Sequence, residues 1–220
     1  MRKVFSLLLS LVLLTGLAFA AQADSKTDYF PPGVWGDGPG TRSAAENDDS
    51  YEKWYGKQLV AMGEKQLWVQ RARDKASLTV RLLFLPTFDP GTMLQISFFE
   101  DGGARFTYKV LDGAGGYEPG KLSRKFAGDV ENEMVAKIKT LLDQIDALGG
   151  KTPTAFYDPT LVCTDGTQTV LEFSGAGLYN VVDRHECDMK NDDPLRKLIH
   201  MLDKVSGGKV IASGTFDDRF

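Results

Sequence analysis

The chain of 220 residues carries 26 basic and 30 acidic side chains, two histidines and two cysteines. A net-acidic chain lacks the basic face that neutralises nucleic-acid phosphates, and it equally lacks a polybasic patch for anionic lipid. The length suits one domain, or two small halves sharing one core.

Arg2 and Lys3 precede an apolar run, Phe5 to Leu14, interrupted only by serines; the small-x-small triplet Ala21-Gln22-Ala23 follows. This is the layout of a secretory signal peptide over residues 1–23, cleaved near Ala23. Its apolar core is short for a membrane span. The expectation is an exported protein, periplasmic or secreted, with no stable membrane insertion after cleavage. Cleavage removes two basic residues and no acid, leaving 24 basic against 30 acidic side chains, a formal charge of −6.

Residues 24–49 form a Pro/Gly-rich lead-in whose Pro31-Pro32, Gly36, Gly38 and Pro39-Gly40 forbid a regular element. Its Tyr29, Phe30 and Trp35 are not linker-like and are expected to pack on the body. A single domain is expected over residues 50–208, with residues 209–220 as a terminal strand (Val210–Ala212) or tail. Tyr51, Tyr55, Leu59 and Met62 fall at helical spacing, with Asp49 or Ser50 as the cap and Gly63 as the end. Gly56 weakens that helix.

Strands follow. Val80 to Leu85 is a nearly continuous apolar stretch, stopped by Pro86. Leu94, Ile96 and Phe98 alternate, Asp101-Gly102-Gly103 turns, and Phe106, Tyr108 and Val110 alternate again, which predicts a hairpin. A glycine loop, Gly113 to Lys121, leads to a short strand over Leu122–Phe126. Val130, Met134, Ile138, Leu141, Ile145 and Leu148 make one helical stripe, capped by Asp129 and ended by Gly149.

The last part repeats this order. Leu161–Cys163 and Thr169–Phe173 flank an Asp165-Gly166 turn, Leu178–Arg184 adds a third strand, and a helix starts at Asp193-Pro194 and ends at Gly207. Leu195, Leu198, Ile199, Leu202 and Val205 face inward. The predicted class is α+β: an antiparallel sheet with helices on one face, arranged as two ββ(β)α halves.

The chemical candidates are few. Gly115, Gly120 and Lys121 satisfy most of a phosphate-binding G-x-x-x-x-G-K-[ST] loop, but Leu122 stands where the magnesium-binding hydroxyl belongs, Pro119 removes an amide, and no helix follows. The loop is therefore expected to be a strand connection that Tyr117 anchors by its ring. Alternation places Tyr179, Val181 and Asp183 on one strand face, and Asn180, Val182 and Arg184 on the other. A cross-strand Glu172–Arg184 pair is available if register and face agree. His200 is expected on the solvated face of the last helix.

"DRHECD" (Asp183 to Asp188) crowds five polar side chains around Cys187. Asp183, His185, Cys187 and Cys163 read as a metal set or as a disulfide with neighbours. In an exported chain the disulfide Cys163–Cys187 takes precedence, because oxidation persists there and the paired C-x-x-C spacing of structural zinc is absent. No metal or other cofactor is expected.

The order of Leu83–Phe88, Gly115–Gly120, Asp165-Gly166 with Leu171-Glu172, and Gly177 through Arg184 resembles an uncharacterised bacterial family. That family carries LPTF, GGYxPG and DGxxxxLE…YxxVxR motifs in this order. The resemblance spans most of residues 78–206 and implies the domain plan without a reaction. Relatives often carry an aromatic after the Asp-Gly turn, a histidine after the tyrosine and a tryptophan after the arginine. Thr169, Asn180 and His185 stand there in this chain.

These readings give a non-enzymatic binding or interaction protein for an unidentified protein or small-molecule ligand, with Tyr117, Glu172, Tyr179, Arg184 and His185 as candidate binding residues. The alternative is an envelope hydrolase using Glu172, Arg184 and His185. A third reading, a structural role in envelope assembly, would use the aromatic lead-in as its contact. Reduction is expected to raise the intact mass by about two hydrogens; free thiols in the exported protein would overturn the bridge.

Overall fold

The computed structural model describes residues 28–36, 43–70, 76–145, 147, 163–190 and 193–209. The expected signal segment, the strand Val210–Ala212, and Leu148, Gly149 and Leu161 lie outside the described residues.

Six strands form one antiparallel sheet in the order β4-β3-β2-β1-β5-β6. They are β1 (Leu78–Pro86), β2 (Thr92–Phe98), β3 (Ala104–Leu111), β4 (Leu122–Asp129), β5 (Thr167–Gly175) and β6 (Leu178–His185). Helices α1 (Ala44–Tyr51) and α2 (Lys57–Ala61) are joined by a π turn (Glu52–Gly56); α3 is Leu67–Gln70, α4 Asn132–Gln144 and α5 Pro194–Val205. This is the α+β class expected from the order of patterns. In the second half, the described strands are β5 and β6, and Cys163 stands outside a strand.

β1 is the spine, pairing β2 and β5 so that Leu82 lies opposite both Leu94 and Leu171. Its apolar residues occupy both alternation classes, so both faces of the sheet must be covered. On one face Val80, Leu82 and Phe84 join Leu94, Ile96, Phe98 and Phe173 in a core closed by α4 and α5. On the other face Leu83 and Leu85 join Met93, Val170 and Val181 beneath Tyr55, Leu59 and Met62. Each such side chain contributes about 1.5–3 kcal/mol on burial. Helices on one face thus describes α4 and α5; the α1–α2 segment covers the opposite face.

The lead-in also belongs to this second core. Phe30 and Trp35 are each 3% exposed, and the Trp35 ring lies 5.0 Å from Phe30 and 4.5 Å from Tyr51. The first helix begins earlier than the Asp49 or Ser50 cap expected from sequence. Ser43 and Glu46 form a reciprocal capping box, which satisfies two otherwise orphaned amide donors. The helix then widens into the π turn instead of breaking at Gly56. A β-carbon there would lie 2.4 Å from Glu52 Oε1, so the glycine makes room for a carboxylate that accepts the Tyr29 amide at 2.7 Å.

In α4 the N-cap is Glu131, not Asp129, because Asp129 still belongs to β4 and pairs with Arg105 at 3.0 Å. The stripe holds in position: Ile138 and Ile145 are buried, Met134 and Leu141 pack at the margin, and Val135 and Leu142 complete it. In α5 Asp193 caps the Leu195 amide at 2.8 Å, with Pro194 in the first turn, as expected.

Candidate functional site

The face of the sheet beneath α1 and α2 is apolar at one end and ionic at the other. Arg81 interrupts the apolar run of β1 and shares its face with Leu83 and Leu85. It is fully buried. The register sets Glu172 of β5 directly opposite, and Arg81 Nε donates to Glu172 Oε2 at 2.5 Å. Glu172 Oε1 accepts from the Tyr179 hydroxyl of β6 at 2.9 Å.

The second carboxylate comes from the chain after α2. Gly63 adopts a left-handed φ of +65°, which ends the helix and turns Glu64 across the sheet. Glu64 Oε2 lies 3.4 Å from Arg81 Nη1, and its Oε1 lies 2.5 Å from Lys109 Nζ of β3. The backbone caps both cations: Arg81 Nη1 donates to Lys65 O at 2.8 Å, and Lys109 Nζ to Met62 O at 2.7 Å. Tyr29 of the lead-in donates its hydroxyl to Glu64 O at 2.7 Å.

Lys109, Glu64, Arg81 and Glu172 therefore alternate in charge across the sheet and sum to zero. Burial alone would lower the Arg81 pKa; Glu172 and Glu64 outweigh it and leave the group above its ordinary value. Burial and the Glu172 carboxylate push the Tyr179 hydroxyl well above the usual tyrosine value. Such a network is an electrostatic brace, since a buried charge is tolerated only when paired and hydrogen-bonded.

A second polar group lies along β6. Asp183 is 6% exposed and accepts from the Tyr55 hydroxyl, 3.1 Å from each carboxylate oxygen, and from the Gln168 amide in close contact. Burial raises its pKa to about 7, against the opposing effect of the Gln168, Tyr55 and Tyr51 hydrogen bonds and the Arg184 charge. Farther along, Cys163 and Cys187 form the expected disulfide, with Cα atoms 6.3 Å apart. His185 Nδ1 lies 3.1 Å from Cys187 Sγ.

The sequence candidates thus separate. Glu172 and Tyr179 meet in the Arg81 network. Arg184 projects to the opposite face, as alternation required, and register pairs it with Thr169. The anticipated Glu172–Arg184 pair does not form, because Glu172 lies opposite Val181 and faces Arg81. Arg184 is buried, and its guanidinium donates to Asp183 O at 2.9 Å. His185 stands beyond Asp183, at the disulfide. The hydrolase constellation of Glu172, Arg184 and His185 is accordingly not assembled.

Tyr117 is 64% exposed, and its ring packs 4.7 Å from Trp54. Trp54, Lys57 and Gln58 all donate to carbonyls of Gly116 or Tyr117, which ties the glycine loop to the α1–α2 segment. β4 follows the loop, so no helix N-terminus faces it.

Arg81, Glu64 and Lys109 are the residues that sequence reading passed over; Asp183 was weighed only as a metal ligand, and Tyr55 only as part of a helix stripe, whereas the two meet in a hydrogen bond. Arg81 carried a signal, since a lone charge inside an apolar central strand demands a buried partner. Glu64 carried none, being one acid after a helix end.

No model of a known protein family matches the chain, and no curated protein matches it. The resemblance to the uncharacterised bacterial family rests on motif order.

Glu172→Gln is expected to cost about 3–5 kcal/mol, because it leaves Arg81 buried with half its compensation. Urea unfolding of Glu172→Gln, Arg81→Met and the double variant checks this: the double variant should lose less than the sum of the two singles. Asp183 gives a pH signature. Unfolded, it ionises near its ordinary value of 3.8; folded, it keeps its proton to about 7. Between these values the folded state binds more protons, so stability falls as pH rises from about 4 to about 7. Asp183→Asn should remove that component, seen as a smaller change in urea midpoint across the same window.

Proposed function

We propose that the protein is an exported binding domain that takes an acidic segment of a partner protein in the groove between α4 and α5. One observation carries this reading. The groove has a volume of about 450 Å³, with Lys137, Lys197, Lys204 and His200 around Leu141 and Met201. The lysines are exposed, while Leu141 and Met201 are half-buried and continuous with the main core. A cationic wall in a net-acidic chain is a local concentration of charge. An apolar strip beside it suits an amphipathic partner. The two helices, of 13 and 12 residues, offer a surface about 18–20 Å long.

Export is supported by the pattern of residues 1–23 and by compatibility of the Cys163–Cys187 bridge with an oxidising compartment. Among the described residues no helix is long and apolar enough to cross a membrane. A binding role is favoured over catalysis because the ionic groups on the opposite face engage one another, and Glu172, Arg184 and His185 lie apart.

Affinity capture from the native envelope, run with wild type and with a Lys197→Glu/Lys204→Glu variant, tests the groove. The expected result is a partner held by wild type, weakened by added salt and lost on charge reversal, with the circular dichroism unchanged. An identical captured set for both proteins overturns the groove reading.

A further inference from the structure

The surroundings of the disulfide hold more than a covalent tie. Cys163 Sγ, Cys187 Sγ and a ring nitrogen of His185 all lie within 4.8 Å of one another. His185 caps the short 3₁₀ turn Glu186–Asp188, and its Nδ1 accepts the Cys187 amide at 3.3 Å. The same Nδ1 atom lies 3.1 Å from Cys187 Sγ. The ring is held in place from the other side. Gly166, with φ +130°, packs so closely that a β-carbon would lie 2.9 Å from His185 Cε1. The Asp188 carboxylate lies 3.9 Å from Cys163 Sγ.

Two sulfurs and an imidazole nitrogen converge here, a three-donor set that suits zinc in tetrahedral coordination with a fourth position left open. We infer that the disulfide is the closed state of a redox-gated zinc site made by Cys163, Cys187 and His185. Opening consumes one equivalent of a dithiol reductant. Two electrons and two protons pass to the protein, the S–S bond breaks, two thiols form, and the reductant leaves as its own disulfide. Binding then exchanges the two thiol protons for Zn²⁺, giving two zinc–thiolate bonds. Oxidised protein offers the metal only His185, so occupancy follows the redox state of the pair. The site lies at the far end of β6 from the Glu172–Tyr179 contact and is separate from the α4–α5 groove.

The test uses the full-length mature protein with Co²⁺ as spectroscopic probe and Zn²⁺ as competitor. Protein reduced by a phosphine under anaerobic conditions should bind one Co²⁺, with sulfur-to-metal charge-transfer absorption and tetrahedral d–d bands, and Zn²⁺ should displace it. About two protons should be released per metal. The oxidised protein should show no such absorption. His185→Ala, which keeps the bridge and can be checked for folding in its oxidised form, should weaken binding by at least about tenfold after reduction. Cys163→Ser should abolish the charge-transfer pattern of a two-thiolate site. Reduced wild type that retains its circular dichroism but gives no thiolate–cobalt absorption at one equivalent overturns the inference. Equal affinity in His185→Ala and wild type overturns it as well.

Discussion

The rest of the molecule is organised around a full positive charge at the centre of its sheet. Arg81 sits on the middle strand with no exposure, where an isolated guanidinium would cost far more than a domain's whole stability. It is tolerated because register places Glu172 opposite it and the turn at Gly63 delivers Glu64 above it. Lys109 then neutralises the second oxygen of Glu64. Three strands and the end of the first helical segment are therefore tied by one requirement of charge balance. A slip of one residue in the β1–β5 register would send Arg81 and Glu172 to opposite faces, so the pair specifies register as well as contact.

The two faces of the sheet solve different problems. The α4–α5 face is a dry core of interdigitating aliphatic and aromatic side chains. The other face has an apolar end, filled by Tyr55, Leu59, Met62 and the aromatic lead-in, and an ionic end around Arg81. The π turn is where these meet. By widening the helix it presents Tyr55 to Asp183 while Glu52 reaches back to the Tyr29 amide. The lead-in thereby becomes part of the domain, with turns over residues 28–36 and the start of α1 at its end.

This division also separates possible roles. Ionisable residues buried under the helices hold one another, which suits them to bracing and to setting a pH response. Lys197 and Lys204 of α5 stand at the surface beside an apolar strip, with Lys137 of α4 across from them and paired with Glu133 at 2.6 Å. The end of β6 carries the third arrangement, in which His185, the sulfurs and Asp188 approach from two segments 24 residues apart in sequence. The α4–α5 groove uses its own elements, whereas β6 carries both Tyr179 and Asp183 of the buried groups and His185 of the third.

Much of this was legible in the chain itself, because local patterns obey local rules. Alternation gave the strand faces correctly, down to Arg184 turning away from Tyr179, and the Asp193-Pro194 start of α5 followed from capping chemistry alone. The Cys163–Cys187 pairing was expected from there being two cysteines in a chain whose first residues have the pattern of a signal peptide. What required the tertiary structure was every partnership between distant residues. Arg81 announced a need for a counter-charge, but the chain has 30 acidic side chains, and only sheet order brings Glu172 beside it and only the left-handed Gly63 brings Glu64. The Glu172–Arg184 pairing failed for the same reason: a strand's faces are set by its own sequence, whereas the neighbour across the ladder is set by register. Periodicity is a property of one segment; charge compensation is a property of the assembled sheet.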